Sequence, residues 1–288
     1  MSERRSWRFT DGMALVSLIA LAIAATWPTW SDIFTTSFRN EEQSHVFLAP
    51  IVAAWLFWIR RERLRFARPH WNYSGTIIVG AGWGLAIFGF SQGFLLFEHF
   101  GAILVVVGAA ITVLGMSFVL KFLPAFGALL FLMPVPGRFR QPIAIPLQQV
   151  TAQITSFGME LFGAPVARSG NVLVINGHDV AVAEACNGMR MVAALAIVTY
   201  AFVYSVPMRQ SVRIGLLVFS PIVAIVCNVL RLTPTVLLYG YADTSVADLF
   251  HDLSGWAMLF VALGILWATL GLLRWLEVPI APYAVGEE

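Results

Sequence analysis

Long uncharged apolar runs alternate along this chain with short polar connectors. Eight runs, at about 13–30, 45–59, 74–92, 96–115, 117–134, 186–206, 213–230 and 253–273, approach the roughly 20 apolar residues that cross ~30 Å of hydrocarbon. The second is short. The fourth and fifth are parted only by Gly115-Met116-Ser117, so a tight turn is needed there, and Lys121 in the fifth can snorkel back to the nearer surface. The first run is too long, and too poorly followed by a small-residue cleavage site, for a removable signal; it reads as a retained span. In the third, Gly80 and Gly84 have the Gly-x-x-x-Gly spacing of close helix packing.

One connector is long, residues 135–185, and its pattern changes twice. After a Pro-rich entry (Pro134, Pro136, Pro142, Pro146), Leu147, Val150, Ile154, Phe157 and Leu161 fall on one helical face. Gln148, Gln149, Gln153, Ser156 and Glu160 lie elsewhere around it. This spacing predicts an amphipathic helix lying in the membrane interface, in preference to a ninth, half-inserted span. Further on, Val172–Ile175 and His178–Val182 flank Asn176-Gly177. That dipeptide fits a two-residue type I′ turn, whose central residues both need positive φ, so a β-hairpin is predicted.

Composition agrees with the runs. The chain has 288 residues, 59% hydrophobic and 12% charged, with mean hydropathy +0.79. A soluble domain carries about twice that charge. With the N-terminus placed in the cytoplasm, eleven arginines fall inside: Arg4, Arg5, Arg8, Arg60, Arg61, Arg63, Arg65, Arg68, Arg209, Arg213 and Arg274. Six fall outside: Arg39, Arg138, Arg140, Arg168, Arg190 and Arg231. This bias obeys the positive-inside rule and predicts both termini cytoplasmic. The net charge of +2 carries no message about nucleic acid, and none is expected as a partner; membrane lipid is. The expected fold is an all-α polytopic membrane protein of about eight transmembrane helices, with an extracytoplasmic amphipathic helix and a small β-hairpin. It is read as a single integral membrane domain over 1–288, with an extracytoplasmic insertion at about 135–185 and a catalytic section at about 184–255.

The chemistry-bearing residues gather at the extracytoplasmic ends of the last three spans. There are two cysteines, Cys186 and Cys227. They could form a disulfide, but Cys227 lies about one turn inside the seventh span, where a cysteine is more often a small packing residue. Cys186 begins the sixth span with Arg190 one turn on, and a helix start beside a cation favours thiolate; an ordinary small interfacial residue is the plainer alternative. Arg231 ends the seventh apolar run and His251 precedes the eighth. Singly, each is a snorkelling anchor or a structural histidine. Together they supply what acyl transfer by a thiol needs: a nucleophile, a proton acceptor, and a cation for the developing oxyanion. His45, His70 and His99 are scattered without metal-ligand spacing, and no phosphate-cradling loop is present, so neither metal nor cofactor is expected. His178 and Asp179 read as a solvated turn.

The sequence Glu184-Ala185-Cys186-Asn187-Gly188-Met189-Arg190, then Asn228-Val229-Leu230-Arg231, then His251 before a final span, resembles the exosortase/archaeosortase family. The likeness covers roughly residues 20–275 and is specific from Cys186 to His251. One departure is Asn187, where the family often has serine. The resemblance implies a membrane cysteine peptidase and transpeptidase acting on exported proteins with a C-terminal sorting signal. That signal comprises a short motif (Pro-Glu-Pro in many bacterial versions), a transmembrane helix and a basic tail. Cys186 would form a thioester, Arg231 would hold the oxyanion or the thiolate, and His251 would be general acid and base. Glu184, Asn187, Arg190 and Asn228 would support the site or bind substrate, Arg190 either holding a substrate carboxylate or pairing with Glu184. A bacterial inner membrane is the implied setting. Two rivals stand beside it. A transporter should carry mid-membrane charge, which the spans nearly lack. A non-catalytic assembly factor of an envelope or exopolysaccharide system would make the Cys-Arg-His set structural.

Overall fold

The computed structural model describes residues 9–66, 71–134, 137–182 and 188–276. Two compact units divide the chain, Met1–Pro136 and Gly137–Glu288.

The first unit is helical. Helices α1 (Phe9–Ala25) and α2 (Trp27–Arg39) meet at a 75° bend. Pro28 at the start of α2 removes a backbone donor there. Thr26 at the bend donates its hydroxyl to the Ala22 carbonyl at 2.7 Å and accepts the Trp30 indole N–H at 2.9 Å. The first apolar run therefore straddles a corner, because tryptophan and proline count as apolar while proline breaks the ladder. After a 3-10 turn (Glu41–Phe47) come α3 (Leu48–Ile59) and a second such turn (Arg61–Phe66). The hairpin of α4 (Tyr73–Gln92) and α5 (Leu95–Leu114) follows. The fifth run, expected as one span, is broken into α6 (Met116–Lys121), α7 (Leu123–Ala128) and a 3-10 turn (Leu129–Leu132), with Pro124 at the start of α7. Asp32 of α2 meets the buried His99 of α5, Oδ2 to Nε2 at 2.9 Å, and Thr29 donates to Glu98 at 3.1 Å. So His99, scattered in the sequence, is an interhelical partner.

Close packing of α4 on α5 falls on glycines other than those expected. Gly80 and Gly84 face open space. A Cβ at Gly75 would lie 2.3 Å from the Thr112 backbone nitrogen, at Gly82 2.9 Å from the Gly101 carbonyl, and at Gly89 2.3 Å from the Glu98 nitrogen. Gly101 and Gly108 answer from α5, at 2.5 Å from Ala86 N and 2.8 Å from Val79 N. The spacing is two helical turns, which keeps these glycines in one seam and lets the backbones approach. Gly75→Ala or Gly101→Ala is expected to lower stability by about 1–3 kcal/mol, as overpacking does. Gly80→Ala or Gly84→Ala should be neutral or stabilising. Unfolding in detergent reads the difference, and equal effects at Gly75 and Gly80 would refute the seam.

In the second unit, α8 (Gly137–Leu161) carries Pro142 and Pro146. It buries a small and hydroxyl face, Thr151, Ala152, Thr155, Ser156 and Met159, and exposes Val150, Ile154, Phe157 and Leu161. The apolar face is thus turned away from the protein. A three-stranded antiparallel sheet follows in the order β1 (Val166–Ser169), β2 (Val172–Ile175), β3 (His178–Ala181). The Asn176-Gly177 turn pairs Ile175 with His178, with φ of 49° and 82°. Strand β1 was not foreseen. Its signal is Gly170, whose φ of 64° opens a second two-residue turn, pairing Ser169 with Val172.

Helices α9 (Gly188–Ser205), α10 (Gln210–Tyr241) and α11 (Thr244–Trp275) complete the unit. Leu195, Val203, Leu216, Val223, Cys227, Ala262 and Leu266 form their shared core. Among the described residues four helices are long and apolar enough to cross a membrane, or five if the bent α1–α2 pair is one span. The other three of the eight runs form shorter apolar helices, His45–Ile59, Leu123–Leu132 and Val192–Ser205.

Candidate functional site

Three polar residues of α10, Asn228, Arg231 and Thr235, recur at helical spacing and are all buried. Arg231 was expected at a span end, but α10 runs on past it to Tyr241. It is an interior residue, 5% exposed. His251 does precede the apolar stretch Ala257–Trp275, as expected, but the helix itself, α11, already begins at Thr244, so His251 lies two turns inside it. Apolar runs stop at a charge, but a helix does not when the charge finds partners in its own fold. Arg231 finds them on α11. Its Nη2 donates to the His251 carbonyl at 2.9 Å and its Nε to Ser254 Oγ at 3.2 Å. Ser254 in turn donates to the same carbonyl at 3.0 Å. Gly255 lies beside this clasp, where a Cβ would make ordinary van der Waals contact with Nη2 at 3.4 Å.

The imidazole of His251 is oriented from the other side. Its Nδ1 lies 3.0 Å from Asp252 Oδ1. A carboxylate at Nδ1 favours the hydrogen on that nitrogen, leaving the lone pair on Nε2. That Nε2 is buried and has no hydrogen-bond partner among the described residues. The side chain of Asp252 is 81% exposed, so the pair holds geometry more than it stores energy. A histidine with one nitrogen held by a carboxylate and the other without a partner among the described residues has a lone pair that can accept a proton.

Neighbouring contacts fix this face of α10. Asn228 Nδ2 donates to Thr151 Oγ1 of α8 at 3.3 Å, while its Oδ1 is buried without a partner among the described residues. At the far end of the helix Tyr239 donates to Asp248 of α11 at 2.5 Å. The hairpin docks there too: Asn176 Nδ2 donates to the Gly240 carbonyl at 3.0 Å, and a Cβ on Gly240 would strike Ile175 at 2.8 Å. The hairpin that precedes Cys186 in the sequence is thereby anchored, through its turn and β2, to the helix that carries Arg231.

Among the residues singled out from sequence, Arg231, His251 and Asn228 are placed within one helical layer. Glu184, Cys186 and Asn187 lie outside the described residues, as does the side chain of Arg190. Cys227 is a free, fully buried thiol packed in the apolar core. Ser254, Asp252 and Thr151 were not singled out. Ser254 could have been found three residues after His251, on the same face of a helix begun at Asp243-Thr244.

The family model described as transmembrane exosortase matches residues 30–268 of the chain. No curated protein and no solved structure matches it.

Proposed function

Since the chain belongs to the transmembrane exosortase family, we propose that it is a membrane-embedded cysteine transpeptidase that cleaves the C-terminal sorting signal of exported proteins. The observation that carries the assignment of roles is the Arg231–His251 clasp, with His251 Nε2 buried and without a partner among the described residues. In the proposed reaction the Cys186 thiol gives its proton to His251 and attacks the scissile carbonyl. The carbonyl oxygen becomes an oxyanion beside the Arg231 guanidinium. As the intermediate collapses, the C–N bond breaks, His251 returns the proton to the leaving amine, and an acyl thioester remains on Cys186. An acceptor nucleophile, deprotonated by His251, then attacks that thioester and regenerates the thiol.

The excess of arginines on the side assigned to the N-terminus supports cytoplasmic termini and an outward-facing site, in the bacterial inner membrane that the family resemblance implies. A cysteine placed at position 64 of a cysteine-free variant should resist membrane-impermeant thiol reagents in intact cells. Periplasmic labelling at that position would overturn the orientation.

The activity is tested by co-expressing the chain with an exported reporter that ends in a short motif, a transmembrane helix and a basic tail. Processing should appear as a mobility shift that depends on the chain and on the motif. A reporter that stays full length across signals drawn from the host's own exported proteins would sink the reading.

A further inference from the structure

The first unit carries an open-sided pocket of about 670 Å³ lined by apolar side chains, among them Leu15 and Ile19 of α1, Phe57 of α3, Leu64, Leu114 of α5 and Phe118 of α6. Its size falls in the roughly 300–1,000 Å³ range of small-molecule sites. Its wall is stiffened by aromatic stacking: Phe122 lies 4.7 Å from both Phe57 and Phe118, ring centre to ring centre. A cavity without polar groups offers water no partners, so its natural occupant is a hydrocarbon chain.

One part of the wall is basic on its outer side. Leu64 belongs to the turn Arg61–Phe66, and Arg61 and Arg63 beside it are exposed. Arg63 Nη1 donates to the Lys121 carbonyl at 3.0 Å, which joins this turn to the end of α6, the helix that supplies Phe118. The Arg61 guanidinium stands 4.3 Å from the Trp58 ring centre, and Arg60 Nη1 donates to the Leu56 carbonyl at 3.2 Å. Against Arg60, Arg61, Arg63 and Lys121 these elements set two acids, the exposed Glu62 and the buried Asp11 one turn before Leu15. Cations gathered beside an apolar cavity match a ligand with a negative head and a hydrocarbon tail.

We propose that this cavity and its basic turn form a binding site for one anionic phospholipid, an acyl chain in the cavity and the phosphate against Arg61 and Arg63. A free phosphate would have no use for the cavity, and a zwitterionic lipid no preference for the arginines.

The full-length protein in mild detergent is titrated with phosphatidylglycerol, phosphatidylcholine or inorganic phosphate while thermal unfolding is followed. Co-purified lipid is counted by mass spectrometry. Phosphatidylglycerol should raise the midpoint and be the lipid retained, phosphatidylcholine should do little, and phosphate nothing. The double variant Arg61→Ala/Arg63→Ala should need roughly tenfold more phosphatidylglycerol for the same shift, read from the variant's own lipid-free midpoint. Ile19→Trp, which fills the cavity from a half-buried position, should abolish retention. Equal response to the two lipids, a phosphate response equal to the lipid's, or an undiminished shift in the double variant would each overturn the proposal.

Discussion

Arg231→Lys is expected to cut processing by roughly 100-fold or more, the scale of losing a donor to a developing oxyanion, while the protein stays folded in the membrane. The substitution keeps the charge, so the loss must come from geometry. Arg231 spends Nη2 on the His251 carbonyl and Nε on Ser254 Oγ, two acceptors 3.0 Å apart that the near-parallel N–H bonds on one edge of a planar fork serve together. An ammonium group has its three donors on one atom and a shorter reach, so it can satisfy one of these acceptors while surrendering the position of the charge. Ser254→Ala is the companion variant. It removes one arm of the clasp and leaves the guanidinium, so its loss should be smaller than that of Arg231→Lys. Reporter mobility at equal expression reads activity, and unfolding in detergent reads integrity. Near-normal processing by folded Arg231→Lys would remove Arg231 from the oxyanion role.

How far the sequence spoke depended on whether a signal was local. Asn176-Gly177 defined its turn outright, because few dipeptides accept positive φ twice, and the strands fell where alternation put them. Helices α4 and α5 were legible because each is 20 residues long, mostly apolar and free of proline. The corner at Thr26–Pro28 and the breaks around Phe122-Leu123-Pro124 were not, since hydropathy averages over a proline whose effect is on the backbone ladder. The glycine seam was misassigned for a related reason. Gly80 and Gly84 stand in a recognised short spacing, but the face that meets α5 is set by the hairpin's rotation, and it selects Gly75, Gly82 and Gly89.

The site followed the same rule. Arg231 and His251 were found by residue type, and the family match over residues 30–268 agrees with the resemblance that first joined them to Cys186. Their position inside helices was hidden because a charge ended the apolar run. Only tertiary partners, Ser254, the His251 carbonyl and Thr151, explain why α10 can carry Asn228 and Arg231 through its buried side. A polar group buried in a span is tolerated when it is bonded, and such groups mark function more often than structure.

Cys186→Ser is expected to abolish cleavage of a signal-bearing reporter, a loss on the order of 10⁴-fold or more, as when a covalent nucleophile is removed. A thioester needs a nucleophile that ionises near neutral pH. A serine hydroxyl in the same place would have to be activated by His251 alone, whose orienting partner Asp252 is largely exposed and so a weak prop. Cys227 is the internal control. It is fully buried in the apolar core, so Cys227→Ala should leave processing largely intact at some cost in packing, and alanine is the better choice because a serine there would bury a hydroxyl. A thiol-directed alkylating reagent should block wild-type processing and modify Cys186 ahead of Cys227, since only the former is placed by its helix-start sequence to gain thiolate character. Mass spectrometry of the alkylated protein gives the order of modification, and reporter mobility gives the activity. Full processing by Cys186→Ser would end the cysteine-transpeptidase reading, and the Arg231–His251 clasp would then belong to a membrane assembly factor in which it only holds two helices together.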